Sequence, residues 1–244
     1  MDVNKNSYTF MFAAAMVVVV AAILSFAATN LKPLQKQNVE MEKMQSILRS
    51  IEVEGTREES AEAYPEYVTS ELVIQNNELI EGVDAFNIDL AKQIRKPISE
   101  RQAPLYIAEK NGETFYVIPL RGTGLWGPIW GYISLQNNLS TIYGAVFDHQ
   151  AETPGLGAEI NTESFQDQFK GKEILNDDGT LVGIDVVKGE ASGESEVDGI
   201  SGGTITSDGV EAMIANNLQA YIPFLKEYTG YSGSTATAVQ PDNN

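Results

Sequence analysis

The chain has no cysteine and a single histidine, His149. Disulfides, thiolate zinc sites, iron–sulfur clusters and a lipoprotein anchor are excluded by the first absence. A multi-histidine metal site or a bis-histidine haem is excluded by the second. Basic residues are also scarce, with 16 Lys and Arg against 34 Asp and Glu and a formal net charge of -18. Such a surface repels phosphate backbones and anionic headgroups, which argues against nucleic-acid binding. The acidity reads as solubility rather than as a partner signal. With one histidine a hydroxyl-nucleophile hydrolase has little to build on.

What the chain does contain is apolar residue, 43% of 244 positions, enough for the core of one or two domains. Part of it is concentrated at the start. Thr9 to Ala28 reads TFMFAAAMVVVVAAILSFAA with no charge. About twenty residues rising about 1.5 Å each span about 30 Å, the thickness of a hydrocarbon core. Ser25-Phe26-Ala27 offers a small-x-small cleavage site, but the run exceeds the usual signal core of about 7–15 residues. Residues 1–30 therefore read as a retained transmembrane anchor. Lys5 and the terminal amine precede the span while Lys32 and Lys36 follow it, so charge leaves the orientation open.

Residues 31–101 read as an amphipathic stalk helix followed by a helical and loop region. Leu34, Met41, Met44, Leu48 and Ile51 form one apolar stripe. The stripe packs either on the chain's own soluble domain or on a neighbouring subunit. Gly55 to Arg101 is charged and weakly periodic, with AFNIDLAKQIRKPI reaching Pro97, and reads as short helices around loops.

Residues 102–229 read as an α+β domain, a mostly antiparallel sheet with packed helices. PLYIAEKNGETFYVIPL is a hairpin about Asn111-Gly112, and PIWGYISLQNNLSTIYGAVFDH a second about Asn137-Asn138. KEILNDDGTLVGIDVVKG reads as a third, turning at Asp178-Gly179. Val210, Met213, Ile214, Leu218 and Tyr221 mark a late helix that lies on the sheet. Residues 230–244, small and polar, read as a disordered tail.

DGISGGTITSDGV, Asp198 to Val210, packs four glycines, two threonines and two serines into thirteen residues. Asp208 and Glu211 have capping-box spacing, which starts the late helix there. A glycine-rich loop feeding a helix N-terminus is suited to an anion. It is neither a P-loop nor a dinucleotide fingerprint, because the lysine and the βαβ unit are missing. On physical grounds the segment is either an anion-accepting loop or a plain turn.

DGISGGT, Asp198 to Thr204, resembles the D-G-x-[ST]-G-A-T flavinylation motif of the FMN-binding family. Gly203 stands where that family usually has alanine. HQAETPGLGAEI resembles the E-T-P-G-L-G segment of the same family, and GTGLWGPIWGYI its G-L-W segment. The order and spacing are most similar to the C subunits of Na+-translocating NADH:quinone oxidoreductases. The G subunits of ferredoxin:NAD electron-transport complexes are the alternative, and a non-flavinylated assembly subunit is another.

The resemblance implies FMN bound covalently as a phosphoester of Thr204, with single-electron relay and no catalytic side chain. Asp198, Ser201, Gly202, Gly203, Ile205 and Thr206 then belong to the attachment loop. The amides of residues 204 to 208 would hold the phosphodiester. Glu152, Thr153, Gly155, Leu156, Gly157, Leu125 and Trp126 would line the flavin, Trp126 being either a stacking residue or a core tryptophan. His149 is either structural or a proton donor. The implied partners are the other subunits of a membrane redox complex and, during maturation, a flavin transferase that uses FAD. The implied location is a bacterial inner membrane, single-pass, with the soluble domain in the periplasm.

Overall fold

The computed structural model describes residues 6–231. The anchor and the stalk form one helix, α1 (Asn6–Ser50), about 68 Å long at about 1.5 Å per residue. It is long and apolar enough to cross a membrane, and none of its most apolar stretch is buried in the protein. Pro33 lies inside it without ending it. The stripe divides. Leu34 is exposed, whereas Leu48 and Ile51 are fully buried with Ile47 against the chain's own domain. Own-domain packing therefore holds for the lower end of the stripe. Lys5 and the tail from residue 232 lie outside the described residues.

After α2 (Arg57–Tyr67), capped by a Thr56–Glu59 capping box, come β1 (Val68–Gln75) and β2 (Glu78–Leu79). The single-turn helix α3 (Leu90–Gln93) leads to β3 (Ala103–Lys110), β4 (Glu113–Thr123), β5 (Pro128–Leu135) and β6 (Ile142–His149). All six strands form one antiparallel sheet in the order β2-β1-β3-β4-β5-β6. Both expected hairpins are present. The sheet, however, begins at Val68 rather than after residue 102. β1 escapes a period-2 reading because burial along it runs unevenly, with Val73 and Ile74 both buried side by side.

Central strands are covered on both faces, so FYVIPL in β4 is buried throughout. Tyr116, Ile118 and Leu120 face a core shared with Val210, Met213, Ile214 and Leu218. Phe115 and Val117 face the other way, toward Ile47, Leu48 and Ile51. The result is three layers with the sheet in the middle.

α1 is fixed to the sheet by more than apolar contact. The Ser134 hydroxyl donates to the Ser50 carbonyl, and Lys110 Nζ donates to the carbonyls of Ile51 and Glu52. A Cβ at Gly144 would lie 2.4 Å from the Ser50 oxygen, so the glycine permits this approach.

The third expected hairpin does not form. Asn176 to Thr180 turn, with Gly179 at φ +80, but one isolated bridge, Leu175 to Leu181, is all that follows. Gly183 at φ +79 bends the chain away. β7 (Asp185–Val187) then pairs in parallel with β8 (Glu196–Asp198). The turn α4 (Glu163–Gln166) precedes this region, and α5 (Thr204–Leu218) and α6 (Ile222–Thr229) close the domain.

Candidate functional site

Three loops converge at one end of the sheet. The first is the turn from β4 to β5, closed by a hydrogen bond from the Gly124 N–H to the Gly127 carbonyl at 2.8 Å. The second follows β6, where the amides of Leu156 and Ala158 both donate to the Thr153 carbonyl. Gly155 sits there at φ +75, a conformation that favours glycine. The third runs from β8 to α5, with Gly202 at φ +76 and Gly203 donating to the Ile200 carbonyl.

Glu152 ties the three together. It is 5% exposed. One carboxylate oxygen accepts the Trp126 N–H at 2.8 Å and the other the Thr206 hydroxyl at 2.7 Å. Both neighbours must be small for this to fit. A Cβ on Gly124 would meet Glu152 Oε1 at 2.6 Å, and one on Gly157 would meet Glu152 Oε2 and Thr206 Oγ1 at 2.4 Å. The helix is brought in just as closely: a Cβ on Gly209 would lie 2.5 Å from the Thr123 carbonyl oxygen.

The loops enclose a cleft of about 230 Å³ lined by Leu125, Trp126, Glu152, Thr153, Leu156, Gly157 and residues 202 to 206. Four large apolar side chains stand around it at 41 to 65% exposure: Leu156, Leu125, Ile205 and Trp126. Trp126 is the most exposed of them, which rules out its reading as a core tryptophan. A second cleft of about 440 Å³ lies on the other side of Thr204, between residues 186–189 and residues 199–208. The two clefts share Gly202 and Thr204.

The hydroxyls of the segment are not equivalent. Thr206, 1% exposed, is bound to Glu152, and the buried Ser207 hydroxyl accepts the Ile200 N–H at 3.0 Å. Thr204 and Ser201 make no side-chain hydrogen bond among the described residues. Only Thr204 of these two borders both clefts; Ser201 borders the larger one. Thr204 also opens α5, so the unpaired amides of its first turn surround it.

Two expectations are corrected here. α5 starts at Thr204 after Gly203, not at Asp208, and no capping box forms at Asp208. Glu211 instead accepts the Val186 N–H at 3.0 Å, anchoring β7 to the helix. The Ser207 amide is already inside the helical ladder, donating to the Gly203 carbonyl, so free donors are confined to Thr204, Ile205 and Thr206.

Asp198 and Gly155 border neither cleft. The Asp198 carboxylate accepts the Ala191 N–H at 2.7 Å and braces the loop ahead of β8. Gly203 has an ordinary φ of -107, and its small size suits the crowding by Ile200, whose Cγ2 would lie 2.9 Å from a Cβ. The contributions of Gly209, of Gly122 beneath Met213, and of the second cleft were not legible in the sequence. They arise from approaches between segments that no local pattern encodes.

Residues 124–219 match the FMN-binding domain family. The C subunit of the Na(+)-translocating NADH-quinone reductase of Vibrio anguillarum is 32% identical over 81% of this chain and 84% of that protein. Its counterpart in Vibrio parahaemolyticus is 31% identical over 80% and 83%. The chain belongs to the C-subunit family of Na(+)-translocating NADH-quinone reductases. A crystal structure of a family member from Parabacteroides distasonis is 45% identical, covers 80% of this chain and 96% of that one, and superposes with a TM-score of 0.74. Membership of the C-subunit family makes the chain part of an oxidoreductase complex and bears out the expected α+β architecture behind an N-terminal apolar helix.

The residues of the site fit FMN. A free hydroxyl, a helix N-terminus and an exposed apolar rim are gathered around clefts where added Cβ atoms would clash. Phosphate, ribityl chain and planar ring each find a suitable surface there.

Proposed function

We propose that the chain is a membrane-anchored subunit of a sodium-pumping NADH:quinone reductase, carrying FMN as a phosphoester of Thr204 and relaying single electrons. The observation that supports it best is the Thr204 hydroxyl. It is free of intramolecular hydrogen bonds among the described residues, heads a fifteen-residue helix and borders both clefts.

FMN, when attached, supplies one-electron oxidation and reduction. The protein supplies the frame. The amides of Thr204, Ile205 and Thr206 would hold the phosphodiester, with the positive end of α5 behind them. Leu125, Trp126, Leu156 and Ile205 would offer the ring an apolar surface and help exclude water from it. Both Glu152 oxygens are already hydrogen-bonded, and the residue acts by fixing Trp126 and Thr206. Asp198 acts at a further remove, bracing the loop.

Attachment requires a flavin transferase. The Thr204 oxygen bonds to the FMN phosphorus of FAD, the pyrophosphate bond breaks, AMP leaves, and the hydroxyl proton is lost to solvent or to the transferase. The apolar part of α1 anchors the chain in the inner membrane, and the folded domain lies in the periplasm. There a covalent tether prevents loss of the cofactor by dilution.

The test is co-expression with a flavin transferase followed by intact mass measurement. The flavin phosphate increment is expected in the parent chain and in Ser201→Ala, and absent in Thr204→Ala. Pigment retained covalently by Thr204→Ala, or a colourless parent chain after maturation, refutes the reading.

A further inference from the structure

His149 ends β6 three residues before Glu152. Its Nδ1 accepts the Glu152 N–H at 3.2 Å. A neutral imidazole that accepts at Nδ1 carries its proton on Nε2. That Nε2 is buried and has no hydrogen-bond partner among the described residues. Burying an unpaired N–H is unfavourable, so the ring's state is set by what Nδ1 does. The carboxylate of the same Glu152 accepts the Trp126 main-chain N–H and the Thr206 hydroxyl. His149 borders neither cleft, and its influence on the site runs through that carboxylate's main chain.

We infer that His149 is a positioning residue of the flavin site, whose neutral imidazole holds the Glu152 clamp closed. Protonation of Nδ1 turns the acceptor into a donor facing another N–H, and the Glu152 amide loses its partner. Two hydrogen bonds fix His149: its main-chain N–H donates to Asp148 Oδ1 at 2.7 Å, and its Nδ1 accepts the Glu152 main-chain N–H. Across β5 its strand partner is the apolar Ile129. The clamp is closed while the ring is neutral and loosens when Nδ1 gains a proton. The functional meaning rests on the flavin reading, but the clamp itself is testable without cofactor.

The experiment uses the full chain in detergent micelles, unflavinylated, with ¹⁵N-labelled histidine and tryptophan. One histidine yields one pair of ring nitrogens. At about pH 8, Nδ1 is expected to carry no proton and Nε2 one. As pH falls, the ring nitrogens and the Trp126 amide shift with a common midpoint. In His149→Asn, whose Oδ1 can also accept the Glu152 N–H, the Trp126 amide keeps its position and its pH response shrinks about tenfold or more. A proton on Nδ1 at that alkaline pH, separate midpoints, or an undiminished response in His149→Asn overturns the inference. Should that variant not fold, the tautomer and the midpoints in the parent chain decide alone. In matured protein, flavin fluorescence follows the same midpoint, and a flat flavin signal refutes the link to the cofactor. A coupled titration in protein that never acquires flavin sinks the flavin reading and leaves the clamp standing.

Discussion

Glu152→Ala removes one carboxylate that serves two loops. The Thr206 hydroxyl, 1% exposed, loses its acceptor where water has little access. A hydrogen bond to a charged group contributes about 1.5–3 kcal/mol, and the orphaned hydroxyl sits at the upper part of that range. The Trp126 amide opens on the cleft, so water replaces its acceptor and the loss there is about 0.5–1 kcal/mol. Against both stands relief from burying a carboxylate with no cation within salt-bridge distance among the described residues. The net cost is about 2–3 kcal/mol, which for a chain of this size lowers Tm by about 5–10 °C. Glu152→Gln keeps the shape and one acceptor, and its amide can donate to Thr206 Oγ1. It should cost no more than about 1 kcal/mol. Thermal unfolding of the two variants in the same detergent, alongside flavin incorporation at Thr204, separates the cases. An alanine variant within about 0.5 kcal/mol of the parent, or a glutamine variant as damaged as alanine, refutes the clamp.

Gly209→Ala should force α5 away from β4, because its Cβ meets the Thr123 carbonyl oxygen at 2.5 Å. The expected cost is about 1–3 kcal/mol, with flavin incorporation falling further than stability; equal losses would argue against a positional role. Gly144→Ala should undock the lower end of α1, read as about 3 kcal/mol lost and as new protease cutting near Ser50. The Glu52–Lys170 ion pair, 2.7 Å, joins the end of α1 to the 167–170 turn. Hydrogen bonding to Lys170 holds the Glu52 carboxyl below its ordinary 4.5, and Glu52 and Asp167 raise Lys170 above 10.5. The carboxylate's share of stability is present above pH 4.5 and lost as pH falls through its depressed value. The ammonium's share is full below pH 10.5 and lost as pH rises through its raised value. A Glu52→Gln, Lys170→Met double-mutant cycle should therefore give about 0.3–1 kcal/mol at neutral pH and nothing in strong acid. A coupling that persists in acid refutes it.

Local signals were legible in the sequence wherever the controlling contact is local. The apolar run of α1 needs no partner to be recognised, and the Asn111-Gly112 hairpin carries its turn and its two strands in one stretch. The late helix was visible from the spacing of Val210, Met213, Ile214 and Leu218. Its start was misplaced because a capping-box spacing at Asp208 and Glu211 outweighed a glycine cap with no side-chain signature. The third hairpin failed for a similar reason. Its turn forms, but β7 takes its partner from β8, and the bend at Gly183 leaves no room for the antiparallel strand.

The motif residues themselves were readable, and their division of labour was not. Thr204, Thr206, Ser201 and Ser207 are interchangeable as letters. Glu152, fifty-four positions from Thr206, takes one hydroxyl, the Ile200 amide takes another, and of the two left free Thr204 alone borders both clefts. Periodicity, turn chemistry and apolar content act between near neighbours, so a chain states them directly. Which hydroxyl stays free depends on ångström-scale approaches between segments far apart in sequence, and only the folded chain sets those.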